Sequence, residues 1–189
     1  NVHNALAALA IGFALDLAPD AACDGVESLR TVPGRFEPVD AGQNFTAAVD
    51  YAHTPDALEH LLAAARALGS GRVIAVFGCG GDRDRSKRPI MGRIGAAMSD
   101  VAIMTSDNPR SEDPAAILRE VAAGAPEGSN TRSIVDREEA IAAAVAEAEA
   151  GDIVLIAGKG HEDYQILGDR RIDFDDRQVL RDHIRAAIR

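Results

Sequence analysis

Three apolar runs constrain this chain more than any other feature. Residues 73–77 (VIAVF), 101–105 (VAIMT) and 153–157 (IVLIA) are almost unbroken by polar side chains. A strand with one wet face alternates apolar and polar residues. These runs do not, so each is read as a strand buried on both faces. A further strand is expected at 45–51 and a short one at 133–135. Helical patterns fill the intervals. One starts at Thr54, a side-chain cap followed by Pro55, and runs to Leu68. Others cover 89–99, 114–123 (capped by Asp113) and 138–150 (capped by Asp136). The last begins at Asp175 or Asp176 and ends near Arg189. Strands separated by helices of this length predict a Rossmann-like α/β fold, a mostly parallel sheet flanked by helices on both faces. Residues 164–167 and 171–174, with Gly168 and Asp169 between them, read as an antiparallel hairpin at one edge of that sheet.

The N-terminal stretch does not share this rhythm. Residues 1–17 are rich in Ala and Leu and read as a helix, interrupted at Pro19 and Asp20. A second short helix is expected at 24–29. Residues 31–37, with Pro33 and Gly34, read as a connection, which places a domain boundary at 33/34. Residues 1–33 are too few for a core of their own. The chain begins with Asn, not Met, and enters a helical pattern at once. Residues 1–33 are therefore expected to be the tail of a preceding domain in a longer protein.

Bulk properties exclude several classes of function. Of 189 residues, 47% are hydrophobic and 26% charged, as in a soluble globular protein. The net charge of -10 argues against binding nucleic acid. No apolar run reaches 18 residues, so no membrane-spanning helix is expected. The two cysteines, Cys23 and Cys79, form neither a zinc set nor a disulfide framework. They are read as free thiols in a reducing compartment, and a monomer is expected. The motifs of metalloproteases, of serine hydrolases and of the P-loop are absent.

The informative polar residues follow the strands. In a parallel sheet, ligands bind beyond the carboxyl ends. Residues 50–56 (DYAHTPD) follow the first strand, and 78–88 (GCGGDRDRSKR) the second. Residues 106–110 (SDNPR) follow the third, and 158–163 (GKGHED) the strand IVLIA. Any one of these is good turn chemistry by itself. Four at one sheet edge predict a shared ligand site. Three glycines and four basic residues, Arg83, Arg85, Lys87 and Arg88, make the second loop a candidate anion site at a helix N-terminus.

These motifs, in this order, resemble the C-terminal part of the Mur ligase family, and most closely its diaminopimelate-adding branch. The matching stretches are DYAHTPDAL, FGCGGDRDRSKRPIM, SDNPRSEDP and AGKGHEDYQ, with NVHNALAALA and GRFE nearer the N-terminus. The resemblance implies an ATP-dependent ligase of peptidoglycan synthesis. It implies transfer of meso-diaminopimelate onto UDP-MurNAc-L-Ala-D-Glu through an acyl phosphate, with magnesium and the phosphate loop held by a central domain that precedes residue 34. No catalytic residue is then expected in this chain, which should be inactive alone. By the same resemblance, Arg83, Asp107, Asn108, Pro109, Arg110, Gly158 and Glu162 would hold meso-diaminopimelate. Asn4, Arg35, Asp50, His53 and Lys87 would face ATP, with Asp50 on the ribose hydroxyls. Arginine suits the extra carboxylate of diaminopimelate, whereas lysine-adding relatives lack Arg110. A lysine-adding ligase and a non-catalytic module binding a nucleotide or acidic peptide remain as alternatives.

Overall fold

The computed structural model describes residues 2–188, in two units, Asn1–Val32 and Pro33–Arg189. The first unit holds two helices, α1 (Val2–Ala14) and α2 (Pro19–Ser28). Pro19 begins α2; it does not merely interrupt a helix, because a missing backbone N–H costs nothing in the first turn. The expected helix starts at Asn1 and, for the last helix, the end at Arg189 lie outside the described residues.

The second unit is built on a six-stranded sheet. Its strands are β1 (Glu37–Pro38), β2 (Thr46–Asp50), β3 (Val73–Cys79), β4 (Val101–Ser106), β5 (Thr131–Ser133) and β6 (Ile153–Ala157). Their order is β1-β2-β6-β3-β4-β5, parallel except for β1. Alternate residues of β3 serve two cores. Val73, Ala75 and Phe77 face one side with α3 (Pro55–Leu68), α4 (Lys87–Met98) and α5 (Pro114–Ala122). Ile74 and Val76 face the other with α6 (Arg137–Glu147) and α7 (Asp176–Ala187). Burial on both faces is what the unbroken apolar runs encode.

The caps fall where polar residues precede the helical patterns. Thr54 accepts from the Ala57 N–H, Asp113 from Ala115, Asp136 from Glu139 and Asp175 from Arg177. Helix α4 starts two residues before Pro89, which still lies in its first turn. Strand β5 lies two residues earlier than its apolar centre suggests, because only 131–133 reach the edge of β4. The hairpin forms from β7 (Tyr164–Leu167) and β8 (Arg170–Asp173) as a two-stranded sheet of its own. Its tie to the main sheet's loops is a bridge from Leu167 to Arg110. The antiparallel strand of the main sheet is instead β1, which starts at the last residue of the segment expected to be a connection. No helix among the described residues is long and apolar enough to cross a membrane.

Candidate functional site

Strands β2, β6, β3 and β4 are adjacent and parallel, so their carboxyl ends lie on one edge. Asp50 pairs with Ala157, and Cys79 with Ser106. All four polar loops therefore leave the sheet at one level. They enclose an open cleft of about 500 Å³. Arg83, Asp107, Asn108, Arg110, Gly158, Glu162, His53 and Lys87 all line it. Tyr51, Thr54, Gly80, Asp84 and Tyr164 line it too, although the sequence did not mark them as individual substrate or nucleotide contacts. The wall mixes three cations (Arg83, Lys87, Arg110) with three carboxylates (Asp84, Asp107, Glu162). Such a mixture suits a ligand that carries both charges.

The loops are locked to one another. The Gly81 N–H donates to the Asn108 carbonyl at 2.9 Å, and Arg110 Nη1 donates to the Gly81 carbonyl at 2.8 Å. A Cβ on Gly81 would overlap the carbonyl oxygen of Pro109. Pro109 thus supports this contact and is not part of the cleft wall. Gly81→Ala is expected to cost about 1–3 kcal/mol, the usual penalty of overpacking, read as a lower urea midpoint; an unchanged midpoint would refute this close approach. The hairpin holds the same loop from the other side. Gln165 Nε2 donates to the Asp107 carbonyl at 2.8 Å, and the Ile166 N–H to Asn108 Oδ1 at 3.0 Å. Arg110 itself has φ +53°, and its backbone bonds to Ile166 and Gly168 on the hairpin.

Two of the four basic residues in the glycine loop turn away from the cleft. Arg88 is fully buried and pairs with Glu112 and Glu120 at 2.8 Å each. Arg85 pairs with Glu120. The Arg88 guanidinium holds the Glu112 carboxyl well below its usual range, down to about 2. These residues brace α4 against α5. Arg83 and Lys87 remain at the cleft, where Lys87 Nζ donates to the His53 carbonyl at 2.6 Å. Burial raises the pKa of Cys79, at the end of β3, to about 11.

The residues expected at ATP are more scattered. Asp50 Oδ2 accepts from the Phe36 N–H at 2.7 Å, and Oδ1 from Ala52 at 2.8 Å. The carboxylate thereby ties the segment after Gly34 to the end of β2. Arg35 is exposed and lies over the Tyr51 ring, 5.0 Å from its centroid. The Tyr51 ring also neighbours His53 at 4.7 Å and His161 at 5.5 Å. Asn4 is exposed on α1, in the first unit.

Three buried residues near the site had no role in it assigned from the sequence. Lys159 sits between Gly158 and Gly160, whose φ values of +122° and +55° turn its side chain inward. It is fully buried. The Arg137–Asp176 pair is also fully buried at 2.7 Å. Burial disfavours the Arg137 charge, but Asp176 outweighs it and the pKa rises. Among the described residues, no group of three or more His, Cys, Asp or Glu could hold a metal ion.

A parallel sheet with four interlocked loops at one edge is an α/β ligand-binding architecture, and the chain belongs to the Mur ligase family. Residues 34–160 match the family's glutamate ligase domain. The UDP-N-acetylmuramoyl-L-alanyl-D-glutamate–2,6-diaminopimelate ligase of Solibacter usitatus is 55% identical over 184 residues, covering 96% of this chain and 37% of that protein. Its counterpart from Geobacillus kaustophilus is 56% identical over 186 residues, with 96% and 37% covered. The chain thus spans about 37% of the length of these relatives. A solved structure of a ligase with that name superposes with a TM-score of 0.79 at 43% identity, covering 100% of this chain and 39% of the other. The E. coli FolC structure in complex with ADP superposes at 0.58 with 29% identity, covering 77% and 33%.

Proposed function

We propose that the chain is the C-terminal part of a cytoplasmic, ATP-dependent ligase that adds meso-diaminopimelate to UDP-MurNAc-L-Ala-D-Glu. Residues 34–189 form the domain that binds the incoming amino acid. Residues 1–33 are the tail of the central domain, which supplies the phosphate loop and the magnesium ligands. The observation that carries the reading is the charge pattern of one cleft, where Arg83 and Arg110 stand with Asp107 and Glu162. Meso-diaminopimelate has two ammonium and two carboxylate groups, and the cleft offers two partners for each. The relatives' shared name supports the same substrate.

These residues bind and orient the amino acid. Asp107 and Glu162 take its ammonium groups. Arg110 and Arg83 take its carboxylates, with the forked geometry that arginine gives. A positioned amine then meets the activated carboxylate of the second substrate without a diffusional search. Arg35, Asp50, His53 and Lys87 face the nucleotide in this reading. The related E. coli FolC structure is a complex with ADP, which supports a nucleotide-dependent reaction.

Calorimetric titration of the full-length ligase with meso-diaminopimelate, and with L-lysine as control, tests the proposal. Binding of diaminopimelate with at least tenfold preference is the expected result. Preference for L-lysine would overturn the assignment.

A further inference from the structure

We propose that Lys159 is a positioning residue for the substrate ammonium, acting through Glu162. The inference rests on the functional reading above and deepens it. Its Nζ lies 3.3 Å from Glu162 Oε2 and 3.3 Å from Asn108 Oδ1. Asn108 Nδ2 donates to the same Glu162 oxygen at 3.0 Å. Oε2 therefore receives two donors. Oε1 has no hydrogen-bond partner among the described residues, on a side chain that lines the cleft. One oxygen is held by the protein, and the other is left to receive an ammonium.

The surroundings favour this arrangement over a ligand-binding role for the lysine itself. The Lys159 side chain has no solvent exposure and does not reach the cleft wall. A buried ammonium is costly unless it is paired. Glu162 supplies the counter-charge, and the Tyr164 ring, 5.3 Å from Nζ, offers its face. Asn108 is equally committed. Its Oδ1 accepts from Lys159 and from the Ile166 N–H at 3.0 Å, so its Nδ2 must face Glu162. Lys159 thus sets the orientation of two side chains at once. Left-handed backbone at Gly158 and Gly160 makes the inward turn possible.

The test uses the full-length ligase with Lys159→Met, Glu162→Gln and the double variant. Lys159→Met is expected to raise KM for meso-diaminopimelate at least tenfold and to leave KM for ATP within twofold. In the Glu162→Gln background the same change should add less than threefold, because the lysine then has no carboxylate to aim. Equal effects on both KM values, or additive effects of the two substitutions, would overturn the inference. Should Lys159→Met fail to fold, Lys159→Gln keeps a neutral donor at that place and should raise KM for meso-diaminopimelate by a smaller factor, again with KM for ATP within twofold. Failure of both to fold would overturn the inference by assigning the lysine to stability alone. A wild-type enzyme that does not use meso-diaminopimelate would overturn the functional reading first. Normal wild-type turnover with an unchanged KM in Lys159→Met would overturn this inference alone.

Discussion

Replacing Arg137 with methionine should destabilise the protein by about 3–5 kcal/mol, the cost of breaking one side of a buried pair. Both Arg137 and Asp176 have fully buried side chains. Nε and Nη2 of the arginine donate to the two carboxylate oxygens at 2.8 and 2.7 Å. Nη1 also donates to the Ser106 carbonyl and Nη2 to the Ala157 carbonyl, each at 3.1 Å. Those residues end β4 and β6, which flank β3 in the sheet. The arginine therefore clamps the exit points of the two loops that carry Asp107 and Gly158. Methionine would leave a buried carboxylate without its cation and two carbonyls without this donor. Exchanging both partners, Arg137→Met with Asp176→Leu, should cost less, because no charge is then stranded. Urea unfolding of these two variants beside the unchanged protein measures this. A single-variant loss under about 1 kcal/mol would show that the pair is dispensable.

That clamp could not be read from the sequence, and the reason is physical. Arg137 and Asp176 each sit at the start of a helix, where charged residues are ordinarily solvated caps. Their partners are distant in the chain, so no local pattern announces the pairing. The role of Lys159 is hidden in the same way: a lysine between two glycines resembles part of a phosphate loop, and nothing local shows that its side chain is buried. Strands β3, β4 and β6 were legible because both their faces are buried, which leaves an unbroken apolar run. The helix starts were legible because Thr54, Asp113, Asp136 and Asp175 carry the oxygen that caps the first turn. The cleft was legible as four polar stretches at four strand ends. Which side chains of a stretch face the cleft was not. Arg85 and Arg88 look like Arg83 in sequence, yet Glu112 and Glu120 draw them away. Strand β1 is two residues long and has no period to detect. The hairpin was recognised, but a hairpin's local signal does not specify the sheet it joins.

On the proposed function, removing the Arg110 guanidinium should abolish the preference for meso-diaminopimelate over L-lysine. The two amino acids differ at the far end, where only diaminopimelate carries a carboxylate. Arg110 is half-buried and lines the cleft. Its Nη1 is held by the Gly81 carbonyl at 2.8 Å and lies 3.4 Å from that of Asn108. Nε and Nη2 have no hydrogen-bond partner among the described residues, which leaves a fork for a carboxylate. Truncating one member of such a charge pair costs about 2–5 kcal/mol, a rise in KM for diaminopimelate of at least tenfold. The ATP KM should stay within twofold. Because φ here is +53°, Arg110→Asn is the better first variant, since asparagine tolerates left-handed backbone. Arg110→Lys keeps the charge without the fork and should recover only part of the affinity. Steady-state kinetics of the full-length ligase with both amino acids decides the matter. A variant that still prefers meso-diaminopimelate tenfold would mean that Arg83 or the backbone of the SDNPR loop reads the carboxylate, and that Arg110 serves chiefly to tie that loop to Gly81.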